Sequence, residues 1–268
     1  MCKYLTASIL ALVTILLTIP PNLSSSSSTF KDDDQDPNQC CRLSTNPNDI
    51  KFLLFPDERN PDYYTEIIFN DVESLANSLF QPGIQTILIT HGFRSDFNSP
   101  SCKNPKRALL QYGPGPSKAN IIVATWGPLS TPFPLTFSLN WYTHVLENVP
   151  IVGERIGDFI KFLVGQEVVR LDQIYLIGHS LGAHVMGIAG KQVQKTFGNN
   201  QKVGRITAKQ LLLFSLIIRM LGLDPALVGK WPEDDSLNLI NGDAFFIDII
   251  HTNSGKLGMI GQVNNKLT

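Results

Sequence analysis

Ile174-Tyr175-Leu176-Ile177-Gly178-His179-Ser180-Leu181-Gly182-Ala183-His184 is the stretch whose reading decides the fold. Ile174 to Ile177 is an apolar run of strand length, suited to burial on both faces of a parallel sheet. Leu181 to Thr196 reads as a helix that follows directly. Between them stands Gly-x-Ser-x-Gly. On its own that pattern is weak, but a strand before it and a helix after it are the setting in which a serine is lifted above a sheet with its hydroxyl exposed. The turn is so tight that side chains at 178 and 182 would collide with neighbouring backbone, which makes Gly178 and Gly182 the elbow glycines. The opening turn of the helix aims backbone N–H groups at charge developing beside the serine. Ser180 is the candidate nucleophile.

The neighbouring segments agree with this reading. Lys51–Phe55 and Glu66–Phe69 read as short strands bounded by Pro and Asn turn signals. Thr86–Thr90 and Asn120–Trp126 are further apolar runs, and helical spacing recurs in Pro105–Tyr112 and Ile151–Val164, with Pro150 as a start signal for the latter. Strands alternating with helices argue for βαβ units around a parallel sheet. Thr86–Thr90 runs into His91-Gly92-Phe93. In this arrangement one oxyanion donor is the amide after the nucleophile and the other comes from the loop after such a strand, which nominates Leu181 and Phe93. His91 precedes the nucleophile in the chain and reads as a loop stabiliser. Gly222-Leu223-Asp224-Pro225-Ala226 follows Ser180, and the order Ser then Asp makes Asp224 the candidate acid, held in its turn by Pro225. Alone, that segment is an ordinary Asp-Pro turn.

The remaining composition narrows the function. The 268 residues are 43% hydrophobic and 17% charged, with a formal net charge of −1, enough apolar content for a core and no field for nucleic acid. Lys3, the apolar stretch Ala7–Ile19 and the prolines and serines to Ser28 read as a secretory signal peptide, too short for a stable membrane span. Residues 29–50 are polar and read as a flexible segment, and the domain is expected over 51–268. An exported chain meets an oxidising compartment, where Cys102 could pair with Cys40 or Cys41. No His or Cys spacing marks a metal site.

Ile89-Thr90-His91-Gly92-Phe93, Gly178 to His184, Gly222 to Ala226 and Ile250-His251-Thr252-Asn253, in that order, resemble the pancreatic-lipase-like family, particularly insect lipases and wasp-venom phospholipases A1. The stretch Asn148–Gly153 is similar to the start of a family helix. The resemblance runs from about Lys51 to Gln262. It implies an α/β-hydrolase fold, a mostly parallel central sheet flanked by helices. It also implies a secreted serine hydrolase that cleaves carboxylic esters of glycerolipids at a lipid–water interface, as a triacylglycerol lipase or phospholipase A1, with Ser180 as nucleophile, Asp224 as acid, Phe93 and Leu181 at the oxyanion, and no metal or cofactor.

Two departures bear on activity. The family passes from a strand like Gly204–Thr207 directly into Gly-Leu-Asp-Pro-Ala, whereas here Ala208–Leu221 intervenes. Such an insertion, which resembles a retained intron, should displace the acid or replace the strand, Ile217–Leu223 being the substitute. The family histidine lies beyond the Ile-His-Thr motif, after a lid loop, and the residues after Gln262 no longer resemble the family. The C-terminal part is therefore expected to be missing, and the chain to be nearly inactive and poorly soluble. Chain order alone would nominate His251 as the base; the resemblance makes it the histidine that closes the strand Phe245–Ile250. The competing reading is a non-catalytic lipase-like protein that binds or stores lipid.

Overall fold

Apolar runs that alternate between two faces need cover on both, and the computed structural model, which describes residues 43–132, 139–210 and 239–251, supplies it. Seven strands form one sheet: β1 Lys51–Leu54, β2 Thr65–Ile67, β3 Gln85–Thr90, β4 Ala119–Thr125, β5 Ile174–His179, β6 Val203–Gln210 and β7 Ala244–His251, in the order β2-β1-β4-β3-β5-β6-β7. β1 runs antiparallel to β2 and β4, and the other pairs are parallel. The described helices are α1 Val72–Asn77, α2 Pro100–Gln111, α3 Gly127–Ser130, α4 Leu139–Gly165 and α5 Leu181–Phe197.

Side chains alternate across each strand. Phe52, Leu54, Leu88, Ile122 and Leu176 join the cluster under α4 and α5. Leu53, Phe55, Ile87, Ile89, Ile121 and Val123 join Cys102 and Leu110 of α2 on the other face. Helices on both faces of a mainly parallel sheet, with this strand order and a serine elbow after β5, make an α/β-hydrolase fold.

Several sequence expectations need correction. α4 does not start after Pro150 but runs through it, and α2 runs through Pro105. A mid-helix proline costs about 3 kcal/mol. Val145 and Val149, ahead of Pro150, are both fully buried. Each such side chain returns about 1.5–3 kcal/mol, so burial of one continuous face outweighs the missing hydrogen bond. Cys102, Lys106 and Leu110 make the same kind of stripe across Pro105.

Residues 43–50, the end of the segment read as flexible, pack against the domain. Ser44 N–H donates to Pro128 O at 3.0 Å, Asn148 Nδ2 donates to Ser44 O at 2.9 Å, and Ile50 is buried. Cys102 is a free thiol in the core, and burial pushes its pKa up to about 12. Its suggested partners Cys40 and Cys41 lie outside the described residues, as do the signal-peptide segment 1–28, the apolar run from Leu211, the turn carrying Asp224, and Thr252 onward.

The insertion does not replace the strand. β6 keeps Gly204–Thr207 between β5 and β7 and takes Ala208, Lys209 and Gln210 as its own last residues. No helix among the described residues is long and apolar enough to cross a membrane.

Candidate active site

Parallel register brings the strand ends to one edge. Thr90 is level with Gly178 and His179 with Lys209, while Gln210 pairs with His251. The His91–Phe93 loop, Ser180 and the end of β7 therefore meet at the carboxyl edge, where open α/β sheets place their sites.

Ser180 caps α5 with φ 56° and ψ −122°. A non-glycine residue held there costs about 1–3 kcal/mol and needs support from its surroundings. Ser180 N–H donates to Lys209 O at 2.8 Å, and Ala183 N–H donates to Ser180 O at 3.0 Å. The elbow glycines are sterically required. A Cβ at Gly178 would lie 2.2 Å from Gly182 O, and one at Gly182 would lie 2.5 Å from His91 O. Ala183 is fully buried, as expected of a residue that keeps α5 close to the sheet, whereas Gly187 faces Leu239, in the segment before β7.

The second wall is the loop after β3. A Cβ at Gly92 would meet Ser180 Cβ at 2.9 Å, His179 O at 3.0 Å and Leu181 N at 3.1 Å. The loop thus lies directly on the elbow, beside an amide of the first helical turn, which has no intrahelical acceptor. Phe93 follows, half-buried, with its ring edge-on to Tyr142 at 5.4 Å. Burial pushes the Tyr142 hydroxyl above its ordinary range.

His91 is fixed in a structural role. Trp126 N–H can only donate, and it reaches His91 Nε2 at 3.0 Å, so that nitrogen carries no proton. Nδ1–H then donates to Gly92 O at 3.1 Å. Trp126 Nε1–H donates to His91 O at 3.1 Å, and the two rings stack at 5.3 Å. Desolvation holds the imidazole neutral, its pKa lowered to about 4. Sequence reasoning missed Trp126, Tyr142 and Lys209, since nothing local signals contacts between residues so far apart in the chain.

His179 and His184 flank the serine, and burial lowers the pKa of both, that of His184 to about 4. Among the described residues no imidazole hydrogen-bonds to Ser180. The backbone of His251 ends β7, two strands from the elbow. Asp224 lies outside the described residues.

A sheet of this order with a serine held at positive φ between β5 and α5, and a second loop packed on it, defines the class of α/β-hydrolases. Comparison with known proteins narrows the class. The lipase family model matches residues 22–265, and the chain belongs to that family. It is 34% identical over 216 residues to phospholipase A1 of Vespula squamosa, covering 79% of this chain and 64% of that protein. It is 32% identical over 213 residues to pancreatic triacylglycerol lipase of Mus musculus, covering 77% of this chain and 37% of the relative. Pancreatic lipase-related protein 2 of Homo sapiens is 30% identical over 219 residues, covering 80% and 39%. The chain therefore spans between 37% and 64% of the length of these three relatives.

Proposed function

We propose that the protein is a secreted serine hydrolase of the insect-lipase and venom phospholipase A1 type, acting on carboxylic esters of glycerolipids at a lipid–water interface. One observation carries the reading: Ser180 is held at φ 56° on the sheet edge with Gly92 packed against it. Ser180 Oγ attacks the ester carbonyl. The N–H groups of Leu181 and Phe93 bind the oxyanion that forms, and amides preorganised in this way are worth about 10²–10³ in rate each. A histidine other than His91 takes the serine proton, and Asp224 orients that histidine and stabilises its charged form. The acyl-enzyme is then hydrolysed by water. The activities that the relatives are named for, on triacylglycerols and on phospholipids, both belong to this chemistry.

The test is hydrolysis of p-nitrophenyl butyrate by this chain and by Ser180→Ala, with a fluorophosphonate as a label for the serine. Where a histidine completes the triad, labelling at Ser180 and turnover that the substitution removes are expected; without one, both fall to near background. Equal turnover by the two proteins, with no label at residue 180, would exclude catalysis by this chain and leave a lipid-binding member of the family.

A further inference from the structure

The far end of α5 builds a second concave site. Gly187 and Gly190 leave its surface bare, and the segment before β7 presses into the gap. A Cβ at Gly187 would meet Leu239 Cα at 2.7 Å, and one at Gly190 would meet Asp243 O at 2.5 Å. Asp243 is buried, accepts from Ile240 N–H at 2.9 Å and pairs with Lys191 at 2.6 Å. Gln194 Nε2 donates to Gly242 O at 3.1 Å. Between helix and segment lies a cavity of about 460 Å³, whose rim also carries Lys195, Asn199 and Lys202.

Among the described residues that line this cavity, three ammonium groups stand with one carboxylate, and that carboxylate pairs with Lys191. Lys195 and Lys202 make no ion pair among the described residues. The negative end of the α5 dipole accounts for a lysine in its last turn, Lys195. It does not account for Lys202, which comes from the turn before β6, nor for the concavity. The chain's net charge is −1, so the cluster does not simply reflect a basic protein. At about 1.5 Å per helical residue, the cavity lies roughly 20 Å along α5 from Ser180. It belongs to the opposite edge of the sheet and plays no part in ester cleavage.

We propose that this cavity binds a phosphate-class dianion, with Lys195 and Lys202 as its charged donors and Asn199 as a neutral one. Charge-assisted donors converging on a pocket are the recognition such an oxyanion requires. The anion is either free phosphate or the phosphomonoester headgroup of a lipid.

Titration of the full chain with inorganic phosphate, by calorimetry and by thermal melting, tests it. Saturable binding and a rise in Tm are expected. Lys195→Ala/Lys202→Ala should weaken Kd by about tenfold or more, and added salt should weaken it in the parent. The double variant should melt with the parent in phosphate-free buffer. If it does not fold, Lys195→Glu serves instead. Co-sedimentation with phosphatidylcholine vesicles containing phosphatidic acid, dependent on the two lysines, would assign the site to a lipid headgroup; phosphate binding without vesicle binding would assign it to a soluble anion. No phosphate or vesicle binding, or an unchanged Kd in the variants, would overturn the proposal, and neither result touches the esterase reading.

Discussion

A β-carbon on Gly92 would stand 2.9 Å from Ser180 Cβ and 3.1 Å from the amide nitrogen of Leu181, so the loop after β3 can rest on the elbow only because residue 92 has none. Gly92→Ala must push the loop, and the Phe93 amide with it, away from the serine. Misplacing one oxyanion donor costs about 10²–10³ in kcat. Over-packing of this kind costs about 1–3 kcal/mol in stability. Gly92→Ala is expected to slow fluorophosphonate labelling of Ser180 and, in a chain whose triad is complete, to lower kcat on p-nitrophenyl butyrate by about 100-fold with little change in KM. Unchanged labelling would show that the contact does not position the donor.

The His91–Trp126 pair makes stability depend on pH. His91 has a folded pKa of about 4 because it is buried, below its ordinary 6.5. The unfolded chain therefore binds the extra proton first. Stability is fully present above pH 6.5 and falls as pH drops through 4, by on the order of 3 kcal/mol from this group. His184, also lowered to about 4, adds to the slope in the same direction. Urea unfolding at several pH values between about 7.5 and 4 should show this loss. His91→Asn keeps an acceptor for Trp126 and cannot titrate, so its curve should be flatter. Parallel curves for the two proteins would contradict the assignment.

These relationships also show which parts of the molecule the sequence makes legible. Ile87, Leu88 and Ile89 alternate between the two core clusters, and burial on both faces writes itself as a continuous apolar run. The elbow is legible because sterics admit only glycine at 178 and 182. The passage of α4 through Pro150 is not legible, because local propensity forbids it and only the burial of Val145 and Val149 permits it. His91 and Trp126 meet across a fold, not along a chain. Lys191 and Lys195 look like a solvated helix face until Gly187 and Gly190 bring the segment before β7 beside them.

The seam between α4 and α5 has the same dependence on missing side chains. A Cβ at Gly153 would lie 2.6 Å from the Ile188 side chain and 2.9 Å from Val185 O. Alanine is the better helix former, by about 0.5–1 kcal/mol. The clash with backbone and a β-branched side chain should exceed that, so Gly153→Ala is expected to destabilise by about 1–3 kcal/mol. Gly165 closes the same helix, and a Cβ there would find nothing within 4 Å. Gly165→Ala should be neutral or stabilising by up to about 1 kcal/mol. Opposite signs in urea denaturation are the expected result; equal effects would mean that the seam can relax.

Lys106 is a charge placed inside the second core cluster, and its partner decides what it costs. Its side chain is 1% exposed, Nζ pairs with Asp62 at 3.3 Å and lies 4.0 Å from the centre of the Phe55 ring. Burial lowers the Lys106 pKa, against the pull of Asp62. Arg107 also pairs with Asp62, at 2.7 Å, and holds its carboxyl below the ordinary range. Removing one member of a buried pair leaves the other uncompensated, at about 3–5 kcal/mol where both are buried. Asp62 is half-exposed, at 51%, so solvent screens part of that cost. Asp62→Ala is therefore expected to be destabilising, through the charge it leaves on Lys106. Lys106→Met removes the buried charge and keeps much of the packed volume, so it should cost less than Asp62→Ala. In the Lys106→Met background, Asp62→Ala should lose most of its effect, leaving the weaker contact with Arg107. Urea denaturation of the four proteins measures that coupling, and simple additivity would show that the ion pair does not govern the stability of this corner.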